Sequence, residues 1–159
     1  MVLPSQSEIM MQSRDEKVSR VLRERFGHEA LRPGQSRAVE AILEGGDALV
    51  VMPTGSGKSL CYQLPGLVDG GTTLVVSPLI ALMKDQVDAL RALGVAAASL
   101  NSSLAAETAR EVWSSAARGE LDFLYVAPER LALESFISLV RDMPLTRVAI
   151  DEAHCVSQW

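Results

Sequence analysis

The sequence is poor in cysteine, in aromatic side chains and in positive charge. Two cysteines, Cys61 and Cys155, cannot build a disulfide framework, so a reducing compartment, the cytoplasm, is expected. Lys and Arg number 15 against 20 Asp and Glu, a net charge of −5. That balance argues against a general polyanion-binding domain and leaves room for a local phosphate or nucleic-acid site. No apolar run approaches the roughly 18 residues that span a bilayer. Residues 1–17 lack the apolar stretch after a basic start that marks a secretory signal. Internal repeats, low-complexity tracts and linkers are also missing. What remains is 159 residues, 48% of them hydrophobic, enough for one domain with a real core.

Residues 1–12 are polar and without period, a frayed tail before a domain over 13–159. Between residues 13 and 26, Val18, Val21, Leu22 and Phe26 recur at spacings of three and four, a helical face. Arg14, Lys17, Arg20 and Arg23 lie largely elsewhere and alternate with Asp15, Glu16 and Glu24, which describes a solvated surface rather than a DNA-binding stripe. After a break at Gly27 and Pro33-Gly34, residues 35–44 form a second helix, stopped by Gly45-Gly46. Short apolar runs at 48–52, 73–76, 95–99, 123–126 and 148–150 then alternate with helical stretches at 79–93, 104–118 and 129–141. Strands apolar on both faces and joined by crossover helices predict an α/β fold, a buried parallel sheet with right-handed βαβ units.

The run at 47–52 leads into Pro53-Thr54-Gly55-Ser56-Gly57-Lys58-Ser59 and a helix expected to begin near Lys58. Strand, glycine-rich turn, Lys-Ser and helix make the context of a phosphate loop. The glycines let backbone N–H groups point inward, and the helix N-terminus adds its positive end. Lys58 would reach the β- and γ-phosphates and the Ser59 hydroxyl would bind Mg²⁺. The strict pattern asks for glycine where Met52 stands. An ordinary glycine-rich turn with an exposed lysine is the alternative.

The apolar run 148–150 ends in Asp151-Glu152-Ala153-His154. Open α/β sheets place ligands at strand C-termini. An Asp there can hold Mg²⁺ and the adjacent Glu can polarise an attacking water, unless the pair merely caps a following helix. Zinc needs about four ligands at recognisable spacing, and His154, Cys155 and Cys61 do not supply them. Cys61 and Trp113 are expected in the core.

Together MPTGSGKS and DEAH resemble motifs I and II of superfamily-2 helicases, where Met52 in place of glycine is ordinary. FGHEALRPGQ (26–35), SPLIALMKDQV (77–87), YVAPERL (125–131) and DEAHCVSQW (151–159) resemble RecQ-type DNA helicases. The similarity runs from about Lys17 to the last residue. It implies a RecA-like P-loop NTPase domain that uses ATP and Mg²⁺ and moves 3′-to-5′ on single-stranded or partially duplex DNA. The cofactor-binding residues would be Arg32, Gln35, Thr54, Gly55, Ser56, Gly57, Lys58 and Ser59. Gln35 would read the adenine edge, with Arg32 beside the base, or else make a local cap. Ser59 and Asp151 would serve the metal. Lys58, Asp151, Glu152 and His154 are the catalytic candidates, with His154 transmitting nucleotide state. Ser77, Lys84, Asn101, Ser102, Arg130 and Trp159 would contact DNA. Plainer roles for two of these are a solvated helix face for Lys84 and a pairing of Arg130 with Glu129 or Glu134.

The resemblance also implies that an arginine finger comes from a second RecA-like domain, and that a further strand lies between the DEAH strand and the phosphate-loop strand. Neither is found within these 159 residues. The chain is therefore expected to be truncated after the DEAH strand, to bind nucleotide weakly, to be prone to aggregation and to lack unwinding activity on its own. A non-catalytic ATP- or DNA-binding remnant and an RNA helicase of the DEAD or DEAH groups are the other readings.

Overall fold

The computed structural model describes residues 6–158, and the chain divides between Asp69 and Gly70 into two compact units. No shift in composition marks that division. Part of the expected tail, residues 1–5, lies outside the described residues. The backbone is already helical at Gln6, ahead of the apolar face that starts at Val18.

The first unit packs three helices, α1 (Gln6–Phe26), α2 (Pro33–Leu43) and α3 (Leu60–Asp69). The spacing read from the sequence is the one that packs: Leu22 is buried with Val39, Leu43, Leu60, Leu64 and Val68, and Val18, Val21 and Phe26 lie against them. Arg14, Lys17, Arg20 and Arg23 are exposed. Arg14 Nη1 donates to the Leu43 carbonyl at 2.8 Å, satisfying an acceptor that the end of α2 leaves without a helical partner. Pro33 opens α2, where a missing N–H costs nothing.

One predicted strand is corrected. Residues 48–52 join no ladder among the described residues, and Leu49 and Val51 are 85% and 87% exposed. An apolar run becomes a sheet strand only where a neighbour supplies ladder bonds. Apolar patterning records what a segment can bury, not whether that neighbour exists.

The second unit is a parallel sheet with helices. Its elements are β1 (Thr72–Val76), α4 (Ile80–Ala92), β2 (Ala97–Leu100), α5 (Ala106–Ala117), β3 (Phe123–Val126), α6 (Glu134–Asp142) and β4 (Leu145–Ile150). The spatial order is β2-β3-β1-β4 and every pairing is parallel. β1 and β3, inner strands, are buried at every position, which is why they read as unbroken apolar runs. Leu74, Val76, Leu100, Leu124 and Val126 pack with Ala116 of α5, Phe136 and Leu139 of α6, and Met143. Trp113 of α5 joins this core as expected, edge-on to Phe136 with ring centroids 6.4 Å apart. Tyr125 falls between Leu124 and Val126, so strand alternation sends it to the other face, where its hydroxyl meets Gln86 of α4.

The stretch 129–141, read as one helix, is two pieces: a 3₁₀ turn, Pro128–Ala132, and α6. Leu133 between them is extended (φ −87°, ψ 123°), and its N–H closes the turn on the Arg130 carbonyl. β4 pairs with β1 alone among the described residues, and Val148 and Ile150 on it are about half exposed. Because all four strands are parallel, Ser77, Asn101, Ala127 and Asp151, the residues that follow them, emerge at one edge of the sheet. No described helix is long and apolar enough to cross a membrane.

Replacing Phe136, 1% exposed, by Ala is expected to cost about 3–5 kcal/mol in urea unfolding. Leu49→Ser should stay within about 0.5 kcal/mol of wild type. Equal losses would mean that Leu49 packs in a core.

Candidate nucleotide site

Residues 53–59 form a compact loop. The Ser56 N–H donates to the Pro53 carbonyl at 3.2 Å, and Gly55 and Gly57 take left-handed φ values of 75° and 84°. The chain then enters α3 through bonds from Leu60 N to Gly57 O (3.2 Å) and Cys61 N to Lys58 O (2.9 Å). The regular helix thus begins at Leu60, two residues beyond Lys58. The Lys58 ammonium donates to the Met52 and Pro53 carbonyls, 3.2 Å from each. The loop residues Thr54, Gly55 and Gly57 are exposed, and Ser56, Lys58 and Ser59 are half-buried.

Gln35 fastens this loop to α2. It is buried, at 4% exposure, and both ends of its amide are engaged. Oε1 accepts from the Arg32 N–H at 2.9 Å, the local cap weighed as the alternative for this residue. Nε2 donates to the Gly57 carbonyl at 3.0 Å and to the Ser56 carbonyl at 3.3 Å, and Arg32 Nη1 donates to the same Ser56 carbonyl at 2.9 Å. A Cβ at position 57 would lie 2.6 Å from Gln35 Nε2, the movable end of that side chain, and the left-handed backbone is what asks for glycine there. A cavity of about 390 Å³ opens beside the loop, lined among others by Phe26, His28, Arg32, Gln35, Gly57, Ser59 and Gln63. Phe26, His28 and Gln63 were not singled out from the sequence. Periodicity accounts for Phe26 as a core residue and so hides its second role. His28 stands inside the FGHEALRPGQ string, which was its only signal.

In the second unit Asp151 continues the ladder past β4, its N–H donating to the Val76 carbonyl at 2.9 Å. Its Oδ1 accepts from the Glu152 N–H (3.0 Å) and its Oδ2 from Gln86 Nε2 (3.5 Å). Glu152 has φ 51°, the one described non-glycine residue in the left-handed region. Its Oε2 lies 3.3 Å from Nδ1 of the exposed His154. No group of three or more His, Cys, Asp or Glu among the described residues could hold a metal by itself. Mg²⁺ is usually bound through one or two carboxylates plus substrate phosphates and water. In the second unit the half-buried Asp151 carboxylate, held by the Glu152 N–H and by Gln86, is a donor of the class that ion takes. Burial pushes the Cys61 thiol up, so it stays protonated and a poor ligand.

The expected DNA contacts fare unevenly. Ser77 is fully buried, with its N–H on the Val126 carbonyl, and Asn101 is buried with Oδ1 accepting from Ser103 N (2.9 Å) and Oγ (2.6 Å). Both stand under the sheet's packing, at the first position past an inner or covered strand, and the Ser77 Oγ is buried there without a hydrogen-bond partner. Lys84 is exposed and ion-paired with Asp88 one turn on, which holds its ammonium pKa above the usual value. Arg130 Nη2 donates to the Asn101 carbonyl at 3.0 Å, tying the 3₁₀ turn to the loop after β2. Ser102 is exposed, and Trp159 lies outside the described residues.

The DEAD/DEAH box helicase profile matches residues 32–159, which include both the phosphate loop and the acidic pair. The chain belongs to the DEAD/DEAH box helicase family. Among curated relatives, the ATP-dependent DNA helicase RecQ of Haemophilus influenzae is 52% identical over 87% of this chain, and that of Bacillus subtilis 46% over 84%. Mouse ATP-dependent DNA helicase Q5 is 47% identical over 92% of it. The chain spans 22%, 23% and 16% of the lengths of these three proteins. A solved structure of a hypothetical ATP-dependent RNA helicase from Sulfolobus tokodaii aligns with TM-score 0.70 at 25% identity, covering 91% of this chain and 43% of that one. The Mycobacterium smegmatis helicase Lhr, bound to ssDNA and AMP-PNP, shares the fold with TM-score 0.65 at 24% identity, over 82% of this chain and 19% of its own. The DEAD/DEAH family fold is thus a RecA-like α/β domain whose parallel sheet carries helices.

Gly57→Ala should lower stability by about 1–2 kcal/mol through the left-handed backbone alone, and by more through the contact with Gln35. Adding Gln35→Ala should recover the steric part only. Urea unfolding of the single and double variants checks this, and wild-type stability in Gly57→Ala would refute the loop conformation.

Proposed function

We propose that this chain is the ATP-binding portion of a 3′-to-5′ DNA helicase that couples ATP hydrolysis to DNA unwinding in repair or recombination. The observation that carries the reading is the phosphate loop, closed by glycines in left-handed conformations, pinned by Gln35 and bordered by a cavity. The 52% identity to a protein named as a RecQ DNA helicase favours DNA over RNA as the track.

In this reading the loop N–H groups of residues 54–59 cradle phosphate, and the Lys58 ammonium exchanges its two carbonyl partners for phosphate oxygens, a stronger charge-assisted contact. Phe26 offers an apolar ring to the base, with Arg32 and Gln35 near it. Mg²⁺, when bound, neutralises phosphate charge. Ser59 of the first unit and Asp151 of the second would each be a ligand for it, and Glu152, its carboxylate beside His154, would orient or deprotonate the attacking water. DNA backbone runs along the edge where the strands end, with Ser77, Lys84, Asn101, Ser102, Arg130 and Trp159 as contacts. Full turnover draws on an arginine finger from a second RecA-like domain, worth roughly 10³–10⁵ in rate. The setting is the cytoplasm, with association to the nucleoid when the protein is on DNA.

The test is binding of a fluorescent ATP analogue with Mg²⁺ to this chain. Lys58→Ala is expected to weaken binding about 10–100-fold, the loss of one or two charge-assisted bonds. DNA-stimulated turnover by the chain alone should be far below that of a full-length RecQ protein. Unchanged binding in Lys58→Ala would overturn the reading, and stimulation by RNA rather than single-stranded DNA in a longer protein would move it to the RNA helicases.

A further inference from the structure

The side chain of Gln86 bridges two groups that lie far apart in sequence. Tyr125 on β3 is fully buried, and a buried phenol needs a hydrogen-bond partner. Its hydroxyl donates to Gln86 Oε1 at 3.2 Å. On the other side Gln86 Nε2 donates to Asp151 Oδ2 at 3.5 Å. The direction of this relay is set by charge. An ionised carboxylate can only accept, so the amide must turn its NH₂ toward Asp151. Its oxygen then faces Tyr125, and the phenol is left to donate. Oδ1 of the same carboxylate accepts from the Glu152 N–H at 3.0 Å. Asp151 is thus gripped through both oxygens, one by the backbone and one by α4.

We propose that Gln86 is a positioning residue for Asp151, with Tyr125 orienting Gln86, so that the carboxylate is presented to the divalent cation in one fixed rotamer. The proposal rests on the reading of Asp151 as a metal-side carboxylate. Neighbours that orient a metal-binding side chain commonly change metal affinity by about 10–100-fold when removed. Gln86 also sits on α4 two residues after Lys84, a proposed DNA contact, so the helix facing the nucleic acid is the one that holds the acid in place.

The test measures Mn²⁺, as a spin probe for the cation, bound to the chain with a non-hydrolysable ATP analogue, read by electron paramagnetic resonance. Gln86→Met keeps the length of the side chain and removes its amide. It is expected to weaken Mn²⁺ binding about 10-fold. Tyr125→Phe, which leaves the amide but frees its orientation, should give a smaller loss and add nothing in the Gln86→Met background. Asp151→Asn should lose at least as much as Gln86→Met. Analogue affinity with the metal chelated serves as the control for folding of the site, and a merely structural Gln86 would lower the thermal midpoint without moving Mn²⁺ affinity. Wild-type Mn²⁺ affinity in Gln86→Met, beside a loss in Asp151→Asn, overturns the positioning role and leaves the metal reading standing. No nucleotide-dependent Mn²⁺ binding in the wild-type chain overturns both.

Discussion

The second unit depends on the ladder bonds of β1. This strand lies between β3 and β4, is buried at all five positions, and passes structure to both sides. Toward β3 it sets the register that aligns Val75 with Tyr125, and so places the phenol that meets Gln86. Toward β4 it aligns Val76 with Ile150, and the Val76 carbonyl then takes the Asp151 N–H. A one-residue slip in a parallel ladder would send Tyr125 to the opposite face and shift Asp151 off the sheet edge. The position of the acidic pair is therefore held by backbone bonds among apolar residues.

In the first unit the corresponding constraint is a single amide. Gln35 uses its oxygen on the start of α2 and its nitrogen on the phosphate loop, so one buried side chain joins a helix terminus to a turn more than twenty residues away. The absence of a side chain at Gly57 makes that approach possible. Burying an amide is unfavourable unless its groups are paired, and here donor and acceptor both are.

Much of this was legible in the sequence, and the failures share a cause. The strand at 123–126 matches to the residue because a strand covered on both faces leaves an unbroken apolar run. The face made by Val18, Val21 and Leu22 and the turn at 53–59 are local patterns, so local reading finds them. Residues 48–52 carry the same kind of apolar pattern without a sheet partner, and pattern alone does not report partners. That Ser77 and Asn101 are covered follows from the strand order, which no local window states. The turn at Leu133 and the bond from Gln86 to Asp151 likewise depend on contacts that no window of sequence contains.

Glu152 occupies a backbone conformation that glycine would adopt without cost, at φ 51°. For a residue with a side chain that conformation is unfavourable by roughly 1–2 kcal/mol. A redesign guided by folding stability alone would choose glycine at this position, and would gain a sturdier protein by deleting the carboxylate assigned to the attacking water. On the role proposed for Glu152, thermal robustness and turnover would select opposite residues at 152, and evolution for one would be evolution against the other.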